Sequence, residues 1–67
     1  MSGAIVKDQP SPYSIWRHST TGNLFVVLGV ASDPVGLQRV VYLGVGGGRM
    51  FTREIDDFLS GTFQRIH

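Results

Sequence analysis

The run Leu24 to Ala31 reads Leu-Phe-Val-Val-Leu-Gly-Val-Ala, with Gly22-Asn23 before it and Ser32-Asp33-Pro34 after it. Its length and its β-branched and aromatic content predict a strand held between two turns. Alternation puts Leu24, Val26, Leu28 and Val30 on one face and Phe25, Val27 and Ala31 on the other. A strand of a one-sided sheet alternates apolar with polar residues, whereas this one is apolar on both faces. A chain of 67 residues has room for a single core. One face can therefore pack into the domain's interior, and the other needs a different cover. Gly29, in the middle of the run, predicts a bulge or a bend where another backbone comes close.

The flanking segments supply partners for this strand. Tyr13 to His18 predicts a short first strand, and Ser19 to Asn23 a tight reversal. Ser32 to Gly36 is a turn in which Pro34 presets φ. Leu37 to Val45, with Arg-Val-Val-Tyr-Leu at its centre, predicts a third strand with Val41 and Leu43 on one side and Val40 and Tyr42 on the other. Gly46-Gly47-Gly48 breaks it, and Arg49 to Arg53 follows as a short fourth strand. Glu54 to Ser60 reads as helical, since Ile55, Phe58 and Leu59 fall at i, i+3 and i+4. Glu54, Asp56 and Asp57 sit in its first turn, where the helix dipole favours anions, and Gly61 ends it. Thr62 to Ile66 makes a closing strand. The expected fold is mainly β: a small SH3-like five-stranded barrel with one short helix before the last strand, because closure removes exposed edges. Met1 to Pro12, with Gly3, Pro10 and Pro12 among polar residues, reads as a flexible N-terminal arm (1–12) ahead of the barrel domain (13–67).

A domain of this size buries only about 60% of its unfolded surface, and small scaffolds usually compensate with disulfides, a metal or oligomerisation. The chain has no cysteine and two histidines, His18 and His67, at opposite ends. That removes disulfides and cysteine zinc sites and leaves little for a metal, so neither metal nor cofactor is expected. Burial against a partner remains, and the apolar outer face of Val26, Leu28, Val41 and Leu43 favours a homo-oligomer, most simply a two-fold dimer. The alternative cover is the arm, folding back with Ile5 and Val6. No run approaches the ~20 apolar residues of a membrane span, and Met1 to Pro12 lacks the basic start of a signal peptide. The expected location is cytoplasmic.

The net charge of +1 is too mild for nonspecific coating of DNA. Five of the six basic residues are Arg, the residue of planar, bidentate recognition and of stacking. Three groupings are candidates for chemistry. Gly46-Gly47-Gly48-Arg49 offers backbone N–H groups that can wrap an anion beside a charged fork, although a hairpin loop needing positive φ also explains the glycines. Trp16-Arg17-His18 offers an aromatic ring beside a guanidinium. Alternation sends Trp16 and His18 to one face, which also suits a core position for Trp16, while Arg17 points the other way and is the better ligand candidate. Arg39, Arg49, Arg53 and Arg65 together suggest an anion-binding surface, or pairs with Glu54, Asp56 and Asp57. No triad order, HExxH or paired carboxylate stands out, so a binding protein is expected rather than an enzyme. The candidate ligand-binding residues are Trp16, Arg17, Gly47, Gly48, Arg49, Phe51 and Arg53.

In the order Trp16-Arg17-His18, Gly22 through Ala31, Val40-Val41-Tyr42 and Met50-Phe51-Thr52-Arg53, the chain resembles a family of small bacterial and phage domains of unknown function. Phe58-Leu59-Ser60-Gly61-Thr62-Phe63 is similar to the ending of some members. Phe51 stands where that family usually has Trp, Glu54 where it has Pro, and the first turn is one residue longer. The resemblance covers residues 13–66 and implies an SH3-like barrel without implying a reaction. Three functional expectations follow. The first is a non-enzymatic module that binds an anionic ligand, a nucleotide or single-stranded nucleic acid. The second is a phage or mobile-element accessory protein that, as a homo-oligomer, sequesters a signalling nucleotide or inhibits a host protein. The third, a small structural or assembly subunit, needs only the apolar face.

Overall fold

Five antiparallel strands form one sheet in the order β4-β3-β2-β1-β5 in the structure, a computed structural model that describes residues 9–67. The strands are β1 (Ile15–His18), β2 (Leu24–Ser32), β3 (Gln38–Gly44), β4 (Met50–Glu54) and β5 (Phe63–Arg65). The first four form a meander, and β5 returns to pair with β1, His18 facing Phe63 and Trp16 facing Arg65. β4 and β5 are the two edges, and the sheet is open between them. A single helical turn, α1 (Ile55–Asp57), follows β4 directly and widens into a π-helical turn over Phe58–Thr62. Helical backbone thus runs from Ile55 and breaks at Gly61, starting one residue later than the apolar spacing predicts. Glu54 still belongs to β4, and Gly61 turns the chain at φ 109°, a conformation that only glycine adopts without strain.

The bulge that Gly29 predicts is present, and it reassigns a face. Val27 pairs with Tyr42, but the next paired residue is Gly29, opposite Val41; Leu28 is the extra residue. Each bulge reverses the alternation beyond it. Val30 therefore pairs with the fully buried Val40 and packs against the core, not on the outer face with Leu24 and Val26 as strict alternation requires. The bulge lets β2 serve the interior with Phe25 and Val27 on one side of it and Val30 on the other.

The core is largely aromatic: Trp16, Val27, Val40, Tyr42, Ile55, Phe58 and Phe63, with Phe25, Val30 and Phe51 against it. Phe58 lies flat on Phe63 (centroids 4.5 Å apart, planes at 13°) and edge-on to Trp16 at 5.0 Å. The helical turn thus acts as the lid on the sheet's inner face. Order begins ahead of β1. Pro10 is buried, the Ser14 N–H and hydroxyl both donate to the Ser11 carbonyl (3.1 and 2.6 Å), and the Trp16 indole N–H donates to Ser14 Oγ at 2.8 Å. Gln9 to Pro12 therefore belong to the fold, whereas Met1 to Asp8, with Ile5 and Val6, lie outside the described residues.

Truncating Phe58 tests the lid. A domain of this length has a stability of roughly 3–10 kcal/mol, and emptying a fully buried aromatic site costs about 3–5 kcal/mol. Phe58→Ala is expected to leave much of the population unfolded at 25 °C, seen as a red-shifted emission of Trp16 and a lost cooperative urea transition. A native-like transition would mean that the turn is not what closes the core.

Candidate functional site

A pocket of about 240 Å³ opens where the β1–β2 turn meets the β3–β4 loop, lined by Asn23, Phe25, Gly44, Gly47, Arg49 and Phe51 together with Leu24 and Val45. Register creates it. Gly44 sits opposite Phe25, and the next inward residue of β3, Tyr42, opposite Phe51. A Cβ at position 44 would lie 3.8 Å from the Phe25 ring and 3.9 Å from the Phe51 ring, so the missing side chain is the space. The Phe25 and Phe51 rings stand edge-to-face, 5.8 Å apart at 83°. Both are braced from behind, Phe51 stacked on Tyr42 at 5.5 Å and Phe25 against Phe63 at 5.6 Å.

The glycine loop sets the cationic side of the pocket. The Gly44 N–H donates to the Arg49 carbonyl (2.9 Å), the Gly48 N–H to the Gly44 carbonyl (3.2 Å), and the Val45 N–H to the Leu24 carbonyl (3.0 Å). Gly46 and Gly48 adopt φ of 91° and 69°, so the hairpin geometry accounts for two of the three glycines. The N–H groups of Gly46 and Gly47 take part in none of these bonds. Arg49 is exposed, and among the described residues its guanidinium has no partner.

Three of the residues singled out in the sequence, Gly47, Arg49 and Phe51, come together here, and Gly48 closes their loop. Trp16 does not. It is 8% exposed, in the core, with its indole N–H satisfied by Ser14, so it offers no face to a ligand. Arg53 is also committed to the fold: Nε donates to the buried Tyr42 hydroxyl at 3.3 Å, Nη1 pairs with Asp57 at 3.1 Å, and the guanidinium lies 5.3 Å over the Phe63 ring. The Tyr42 hydrogen bond, ahead of the pull of Asp57, raises its pKa above the ordinary arginine value against the opposing effect of burial. Arg17 stands on the outer face, reaching Gln64 at 3.4 Å, and Arg39 reaches Thr52 at 3.4 Å. The arginines therefore divide between faces and do not form one anion-binding surface. Sequence reasoning missed Asn23, Phe25 and Gly44, whose part depends on cross-strand register.

The outer face carries the apolar residues expected of it. Ile15, Val26, Leu43 and Met50 form one row across four strands, each paired with the next. Val41 lies beside the row, between Gly29 and Thr52, and Leu28 is half-buried at the bulge. Ile15 and Met50, the latter 63% exposed, are additions to the sequence-based set. Among the described residues no helix is long and apolar enough to cross a membrane, and no group of three or more His, Cys, Asp or Glu is placed to hold a metal ion. Comparison with protein-family models, with curated proteins and with solved structures finds no match for this chain.

Gly44 is not a backbone requirement, since its φ is not in the left-handed region and a Cβ meets only ordinary contacts. Glycine within a strand costs roughly 0.5–1 kcal/mol relative to alanine. Gly44→Ala is accordingly expected to raise the urea midpoint by a similar free energy. A destabilised variant would show that the strand needs glycine here and that the space is incidental.

Proposed function

We propose that the chain is a non-enzymatic binding module of SH3-like barrel architecture that recognises an anionic ligand carrying a planar ring, a nucleotide or a segment of single-stranded nucleic acid. The observation that carries this reading is a pocket lined by Arg49, whose side chain pairs with no described residue, together with Phe25, Phe51 and the space that Gly44 leaves empty. Half-covered aromatic rings next to a planar cation suit a ring attached to a phosphate, through ring contact and a charge-assisted fork. The lining holds no carboxylate, imidazole, hydroxyl or thiol side chain, so it offers an anion nothing that repels it and nothing that would carry a proton or attack it. The return of β5 beside β1 after a short helix supports the SH3-like architecture.

A specific observation favours a second element, a homo-dimer built on the outer face. The row Ile15–Val26–Leu43–Met50 is continuous across four strands, on the side away from the pocket. A dimer formed there leaves both pockets open, which suits either a binding module or an accessory protein that sequesters a nucleotide.

Arg49→Ala is expected to weaken binding of a single-stranded oligonucleotide more than tenfold, about 1.4 kcal/mol, with the thermal midpoint unchanged. The slope of log affinity against log salt should flatten by about 0.7, the share of one phosphate contact on a single strand. Unaltered affinity would move the site elsewhere. For the outer face, Val41→Glu is expected to convert a dimer to a monomer by light scattering behind size exclusion. A mass that is the same for both proteins would remove the interface.

A further inference from the structure

We infer that the pocket holds one unstacked nucleobase, with the Asn23 carboxamide reading its hydrogen-bonding edge and Arg49 taking the adjoining phosphate. This rests on the anionic-ligand reading above and narrows it to a nucleoside monophosphate unit. Size comes first. About 240 Å³ is the share of roughly eight liquid waters and lies below the ~300–1,000 Å³ of clefts that take drug-sized ligands. The volume matches one planar ring rather than two stacked bases or a base pair.

Charge count comes second. Of the arginines, Arg49 alone lines the pocket, and Arg53, the next along β4, is held by Tyr42 and Asp57. A single guanidinium matches one phosphate rather than a triphosphate. The third argument is Asn23. Its backbone is fixed on both sides, the N–H donating to Thr21 Oγ1 at 3.2 Å and the carbonyl accepting from the His18 N–H at 2.8 Å. Asn23 lines the pocket, and its carboxamide makes no hydrogen bond among the described residues. A carboxamide presents a donor and an acceptor side by side, the pattern a base edge offers in return and an unadorned aromatic ring does not. A site that spends a polar group on an edge rejects rings lacking that edge far more strongly than an apolar slot can.

The unit has two sources, a free mononucleotide or one residue of a single strand, and both enter the test. Fluorescence anisotropy with labelled ten-nucleotide strands of dA, dC or dT, and one of abasic spacers, is compared with competition by AMP, CMP and TMP, all at one low salt concentration. For the wild-type protein, base-bearing strands should bind at least about tenfold more tightly than the abasic strand. Gly44→Leu, whose Cβ meets only ordinary contacts, should bring them down to the abasic level with the fold intact by Trp16 emission. Asn23→Ala should weaken the preferred strand several-fold and level the differences among bases.

An abasic strand that binds as well as the others overturns the base pocket while leaving the anionic-ligand reading in place. No binding by any strand or mononucleotide overturns that reading itself. Base preferences that survive Asn23→Ala, or that are absent from the wild type, remove Asn23 as the reader. A mononucleotide that competes at its strand's own affinity supports the unit with a free nucleotide as its source, and one that competes much more weakly supports it with a strand.

Discussion

Phe58 lying flat on Phe63 is the contact from which the rest of the molecule is arranged. It joins the turn after β4 to the first residue of β5 and so fixes where the last strand begins. Trp16 meets Phe58 edge-on from β1, and Tyr42 meets both rings from β3, at 5.3 and 5.4 Å. A domain without disulfides, and with little surface to bury, gains most from side chains that each bury a large area. The cost is geometric: aromatic rings fill space in large units, and gaps between them are not easily closed. The pocket lies at the outer margin of this same cluster, where Phe25 and Phe51 are only half covered.

Charge is divided along the same lines. Phe51 and Arg53 lie on one side of β4, two residues apart, and Arg49, just before the strand, continues that spacing. Arg53 reaches into the interior, where a buried Tyr42 hydroxyl without a partner would be costly, and it stays charged under that hydrogen bond and the field of Asp57. Arg49, at the loop end, meets no acceptor among the described residues. Two identical side chains thus separate into one held by the fold and one with no partner among the described residues, and what separates them is how far each stands from Tyr42 and the helical turn.

The strands, the turns and the position of the bulge were legible in the sequence because they follow from local chemistry: alternation, β-branching, and glycines at reversals. The consequence of the bulge was not. Placing Val30 in the core requires the partner of Val30, which alternation within β2 does not reveal. The site was legible in part for the same reason. Arg49 and Phe51 share a face by spacing alone, but Phe25 joins them only through the β2–β3 register. Trp16 and Arg53 misled because their residue types suit a ligand. Ser14, Tyr42 and Asp57 claim them first, and two of those three come from other elements. Asn23 reads as an ordinary turn residue until it is found lining the pocket with a carboxamide that pairs with no described residue.

Gly44 is where fold and function part. Glycines at 46, 48 and 61 are explained by left-handed backbone, and each would strain with any other residue. Gly44 carries no such requirement, lies in regular strand and faces two aromatic rings at contact distance for a methyl group. By the logic of packing, a side chain here would add apolar contact and restrict the unfolded chain, both favourable. A small domain with a thin margin forgoes that gain at the one inward position whose filling would close the pocket. The glycine therefore costs the fold stability and preserves a space, and the residues that border it, two braced aromatics with an arginine and an asparagine whose side chains pair with no described residue, are of the kinds that a nucleotide unit would use.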